Sequence, residues 1–81
     1  MTEYTARLLA PGDFGLALQQ ARFARGMTQA QLAEQLGTQQ STISEMENGS
    51  GTLYVRRLLE MARATGLQLS ATWEVDDAPG S

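Results

Sequence analysis

The sequence predicts a mostly α-helical domain of four to five short helices, closed by a single C-terminal β-strand. Three observations carry that expectation. Apolar residues recur at spacings of three and four through residues 13–65, the period of helices with one buried face. Gly26, Gly37, Asn48-Gly49 and Gly66 divide that stretch, and a glycine just past a periodic segment is a helix stop. Residues 67–75, Leu-Gln-Leu-Ser-Ala-Thr-Trp-Glu-Val, instead alternate apolar and polar, the period of a half-buried strand.

Residues 1–12 form an N-terminal arm or short strand, broken by Pro11-Gly12. A first helix from about Asp13 to Arg25 puts Phe14, Ala17, Leu18 and Ala21 on one face. Arg22 and Arg25 suit the negative end of its dipole. Thr28 and Gln31 have the spacing of a capping box at the start of a second helix, whose buried stripe is Leu32, Ala33 and Leu36. After Gly37, Thr38 caps a third helix, roughly Gln39 to Glu47, with Ile43 and Met46 inward. Thr52 caps a fourth, to about Thr65, with Val55, Leu58, Leu59 and Ala62 on its inner face and Met61 beside them.

The strand's apolar face is Leu67, Leu69, Ala71, Trp73 and Val75. A lone strand leaves its backbone groups unpaired. Two partners are available: residues 4–9 of the same chain, or the same strand of a second copy. A two-fold axis pairs identical strands antiparallel, which favours the second copy and makes Trp73 an interface residue. Both together would build a four-stranded lid. Residues 76–81 are expected to be a disordered tail, with Asp76 and Asp77 as solvated charges rather than metal ligands.

Composition narrows the function. The chain's 81 residues set one domain, and a hydrophobic share of 42% is that of a folded one. There is no Cys and no His, which removes disulfides, thiolate metal sites and the commonest general base. An enzyme, a metal or a cofactor therefore has no pattern to rest on. No apolar run nears the ~18 residues of a membrane span, and the N-terminus does not read as a signal peptide, so the expected compartment is the cytoplasm. Net charge is −3, yet between Arg22 and Arg63 five arginines face only Glu34, Glu45, Glu47 and Glu60. The middle of the chain is thus the part least hostile to a phosphate backbone.

Residues 27–49 hold two short helices joined at Gly37, with small Ala33 at their approach. Leu32, Leu36, Ile43 and Met46 would lock them at a fixed angle. This is the pattern of a helix-turn-helix, whose second helix enters the major groove with its N-terminal residues on base edges. Gln39, Gln40 and Ser41 lead that helix, and a Gln amide can pair bidentately with adenine. Thr38 and the helix's positive end favour phosphate nearby. Thr28 and Gln29, at the start of the preceding helix, have the same opportunity.

The run TQAQLAEQLGTQQSTISEMENG resembles the Xre/Cro and phage-repressor class of helix-turn-helix domains, over residues 14–66. Within that class it is most similar to HipB-type antitoxins, which share the TQ…LA…G…Q.TIS..EN core, a fourth helix and then a strand of the Leu-x-Leu type, as in Leu67-Gln68-Leu69. The resemblance implies a repressor-like domain over residues 13–66 and a dimerisation strand over 67–75. It implies a homodimer on palindromic double-stranded operator DNA, autoregulation of a toxin–antitoxin operon and a HipA-type kinase toxin as partner. Gln40 would be the main base reader, helped by Gln39 and Ser41. Gln29 would meet phosphate or a flanking base. Thr42 and Ser44 would touch phosphate or the groove wall, and Asn48, Ser50 and Thr52 would grip the backbone from the loop. Arg56 would reach a phosphate or the minor groove, and Arg22 with Glu47 would form a buried ion pair, structural first. Glu45 departs from the family's usual Gln, Asn or basic residue. It can accept from cytosine's amino group, and near phosphate it repels. Two rival readings remain: a stand-alone Xre-type repressor, and a protein-binding module that uses the helix-turn-helix as scaffold for its acidic outer residues.

Overall fold

A computed structural model describes residues 1–49 and 52–76. Among them the chain runs β1 (Thr2–Arg7), α1 (Pro11–Ala24), α2 (Gln29–Leu36), α3 (Gln40–Glu47), α4 (Leu53–Thr65) and β2 (Ser70–Val75). The mostly helical class is as expected, with four helices, and the expected strand belongs to a two-stranded sheet. Ser50, Asp77 and the rest of the expected tail after Asp76 lie outside the described residues.

The helix starts follow from local chemistry. Pro11 does not break the chain but opens α1, two residues before the expected Asp13. Its ring presets the helical φ, and its missing N–H is one the first turn leaves unbonded anyway. The Asp13 carboxylate accepts from the Leu9 and Ala10 N–H groups at 2.8 and 2.9 Å. At α2 the capping box forms in full: Gln31 N–H donates to Thr28 Oγ1 at 3.0 Å, and Thr28 N–H to Gln31 Oε1 at 2.9 Å. Thr52 Oγ1 accepts from Val55 N–H at 3.3 Å. Thr38, by contrast, does not cap α3. Gly37 takes a left-handed φ of +67°, and the Thr38 N–H then closes α2 by donating to the Ala33 carbonyl at 2.9 Å. The cap position falls to Gln39, whose side chain makes no cap bond.

The strand expectation needs one correction. The strand begins at Ser70 rather than Leu67, although the Leu69 carbonyl still accepts from Leu8 N–H at 2.9 Å. On one edge it pairs with residues of the same chain, β1, antiparallel from Thr2↔Val75 to Arg7↔Ser70. Such pairing needs only loop closure, without the translational freedom a second copy loses. Ala71, Trp73 and Val75 alternate half-buried with exposed Ser70, Thr72 and Glu74. Trp73 stacks on its cross-strand neighbour Tyr4, centroids 6.1 Å apart, and with Ala71 borders a groove over Phe14, Ala17, Leu18 and Ala21 of α1. Trp73 therefore serves its own domain first, and Leu67 is exposed outside the strand.

The core is small: Leu8, Ala17, Ala33, Ile43, Leu59 and Ala62. Leu36 and Met46, expected to lock the helix pair, are 62% and 55% exposed. Ala33 and Ile43 are the buried apolar residues of that pair, and a close backbone approach joins α3 to α1. A Cβ on Gly15 would collide with the Met46 carbonyl at 2.6 Å and with the Glu47 carbonyl, so α1 rests directly on the end of α3.

Candidate nucleic-acid interface

The joint between α2 and α3 sets the site. Ala33 and Ile43 are buried across it and Leu32 is half-buried, while Gln39, Gln40, Ser41, Thr42 and Glu45 are all exposed and Ser44 half-buried. The leading turn of α3 thus stands clear of the domain. Its backbone N–H groups add the partial positive charge of a helix start.

Behind it lies a buried ion pair. Arg22 Nε donates to Glu47 Oε2 at 2.6 Å, and a second guanidinium nitrogen to Oε1 at 2.8 Å. The two side chains are 6% and 3% exposed. A third Arg22 nitrogen donates to the Met27 carbonyl at 2.7 Å, which ties the turn between α1 and α2 to the same point. The Arg22 hydrogen bonds hold the Glu47 carboxyl below the usual carboxylate range. Burial opposes that, and the Gln29 and Gln19 amides reinforce it. The same contacts raise Arg22, so the pair is charged throughout ordinary pH.

The pair reaches the surface through two amides. Gln29 Nε2 donates to Glu47 Oε1 at 3.1 Å, and Gln40 Nε2 donates to Gln29 Oε1 at 3.5 Å. Glu47 can only accept, so Gln29 must turn its amino group inward and its oxygen outward. Gln40 then keeps its own oxygen and one N–H free, an acceptor and a donor side by side, matching the N6 amino group and N7 of adenine. Gln39 is less restrained, accepting only a 3.4 Å contact from Ser41 Oγ. Thr28, Thr38, Asn48, Thr52 and Arg56 are exposed at or near the turns flanking these helices. Glu45 sits exposed on α3, and among the described residues no ion pair masks its charge.

Sequence reasoning did not single out Gly15 or Gln19. A glycine in a helical pattern was the only available signal for the first. Nothing marked Gln19, which faces Glu47 only once α1 and α3 are packed.

A short helix pair with a buried joint and an exposed, polar second helix start defines a helix-turn-helix DNA-binding module. A family model described as "Helix-turn-helix" matches residues 18–71. The chain belongs to that family, of Xre/Cro type, whose members are DNA-binding transcription regulators. No curated protein and no solved structure gives a significant match. Among the described residues, no helix is long and apolar enough to cross a membrane.

Proposed function

We propose that the chain is a sequence-specific transcriptional repressor that binds a palindromic operator as a homodimer and acts by binding, not catalysis. The observation that carries this is the exposed Gln40 amide, oriented through Gln29 by a buried carboxylate. An ordinary solvated glutamine has no such support. In this docking mode two copies place their α3 helices in successive major grooves, ~34–36 Å apart. Gln40 reads adenine, Gln39, Ser41 and Glu45 reach neighbouring base edges, and Thr28, Gln29, Thr38, Thr42, Ser44, Asn48, Ser50, Thr52 and Arg56 meet the backbone or groove wall. The test is anisotropy binding of Gln40→Ala to DNA from upstream of the chain's own gene. Discrimination at one base pair of each half-site should fall by ~1–3 kcal/mol. Unchanged discrimination would remove Gln40 from the reading role.

The finer reading, a HipB-like antitoxin that restrains a HipA-type kinase toxin, rests on the likeness of residues 28–49 and of Leu67-Gln68-Leu69. Co-expression with the neighbouring gene product tests it, the expected result being a stable complex with a kinase-like protein. One observation favours a second protein surface in any case. Glu3 and Glu74 are directly opposed across the strands, and with a single arginine, Arg25, bordering their cleft this acidic edge suits a basic partner.

A further inference from the structure

The outer edge of β2 is open, and its surroundings specify a partner. Leu8 N–H donates to the Leu69 carbonyl, and these two residues continue the register that sets Thr2 opposite Val75. Opposed residues of an antiparallel ladder alternate between hydrogen-bonded and non-bonded pairs. Ala6–Ala71, Tyr4–Trp73 and Thr2–Val75 are therefore the bonded ones. The N–H and C=O groups of Ser70, Thr72 and Glu74 point the other way, along the edge remote from β1. The sheet has two strands, so among the described residues no third strand meets them.

Two clefts run along that edge and share Ala21, Thr72 and Trp73. The first is apolar. Phe14 and Leu18 of α1 flank Ala17, Ala21 and Ala71 there, and Leu18 is 49% exposed. The second brings Glu3, Thr72 and Glu74, from the outward face of the sheet, together with Ala21 and Arg25 of α1. It therefore passes around the edge of β2, and its two carboxylates outnumber its one guanidinium. Side chains of a strand alternate between two faces. A strand laid on this edge puts one row into the apolar cleft and the other beside Thr72 and Glu74.

We propose that the open edge of β2 takes up an extended segment of another protein, with apolar residues in its inward row and Lys or Arg in its outward row. The backbone groups of Ser70, Thr72 and Glu74 supply the pairing, and the alternate side chains supply the selectivity. Opposite charges side by side on a sheet attract, which fits basic residues to Glu74 and Glu3. The chain's own strands lack that complement. The outward row of β2 is Ser70, Thr72 and Glu74, and that of β1 holds Glu3 as well as Arg7, so a second copy brings its own acid to the edge. The inference rests on the reading of this acidic edge as a protein-binding surface, and the experiment separates the two.

The probe is a synthetic peptide, acetyl-Lys-Val-Lys-Leu-Lys-Val-Lys-amide, added to the full chain, with Trp73, its single tryptophan, as reporter. The peptide should shift Trp73 emission saturably, and the same peptide with Glu for Lys should not. Thr72→Pro removes an edge-facing N–H without touching the ladder to β1, a place where a sheet tolerates proline. It should weaken peptide binding at least about tenfold, whereas Thr72→Val, which keeps that N–H, should stay within about twofold. Glu74→Lys sets a base opposite Glu3 and should also cost about tenfold. Helix content and operator binding should be unchanged in all three variants. Peptide binding that survives Thr72→Pro overturns strand addition and leaves the acidic edge as a charged surface. Equal binding of the Glu peptide, or no binding of either, overturns both. A native dimer that Thr72→Pro turns into a monomer on sedimentation gives the edge to a second copy and overturns the proposal.

Discussion

Glu47 is the residue on which the interface turns, because three separate elements meet its carboxylate. It pins α1 through Arg22 and sets the Gln29 amide on α2 from its own place in α3. Its carboxyl is held below the ordinary range chiefly by the Arg22 hydrogen bonds. A lowered carboxyl contributes stability that is fully present above the unfolded value of about 4.3 and is lost as pH falls through the folded value. Glu47→Gln should therefore be less stable than the native chain by a constant margin near neutrality. That margin should narrow on acidification below about pH 4.3, as read from urea midpoints along a pH series. A gap that persists unchanged down to pH 2 would mean Glu47 acts by packing, not by charge. Spacing alone did not reveal the pair; resemblance did. The part legible from residue types was the polar Gln39-Gln40-Ser41 start, because the leading turn of the helix carries no apolar side chain to bury. The orientation of Gln40 was not legible, since it depends on a side chain eleven positions away.

At the scale of elements, caps and stops were written plainly in the sequence: Thr28, Gln31, Gly37, Thr52 and Gly66 act locally and read locally. What the sequence concealed was how the helices approach. Hydrophobic pattern assigned Leu36 and Met46 to the joint, but both are exposed, and at Gly15 α1 meets the last carbonyls of α3 without a side chain between them. Two alanine substitutions separate these effects. In a helix interior Gly→Ala normally gains up to ~1 kcal/mol from propensity. Gly12 has open space where its Cβ would go, so Gly12→Ala should be neutral or stabilising. At Gly15 the overpacking cost of ~1–3 kcal/mol exceeds that gain, so Gly15→Ala should lower the thermal midpoint. It should also weaken DNA binding, because α3 must shift to make room. Equal midpoints for the two variants would show that the contact between α1 and α3 yields more easily than its geometry implies.

For the whole molecule, the two chain ends and the charge distribution matter most. The alternation in residues 67–75 announced a strand with one buried face, but no local signal could choose between β1 and a second copy as its partner. The register Tyr4↔Trp73 closes the chain on itself, so deletion of residues 1–7 should red-shift Trp73 fluorescence and reduce overall stability, as read by denaturant unfolding. Charge sets how strongly such a molecule can hold DNA. Arg22 is locked in its buried pair and Arg57 is bonded to Glu60. Arg25 lies toward Glu3 and Glu74, and Arg7 and Arg63 border the cleft on the sheet side. That leaves Arg56, in the first turn of α4, as the arginine beside the helix-turn-helix. With Glu45 on the same face and a net charge of −3, few counterions can be released. Each neutralised phosphate contributes about −0.9 to the slope of log K against log salt, so a dimer relying on two Arg56 side chains should show a slope near −2. Arg56→Gln should flatten it toward zero with base preference intact, and Glu45→Gln should raise affinity while shifting preference at the base pair that Glu45 meets. A native slope near −10 would mean that the arginines on the sheet side also reach the duplex, and the docking orientation derived from α3 would have to be abandoned.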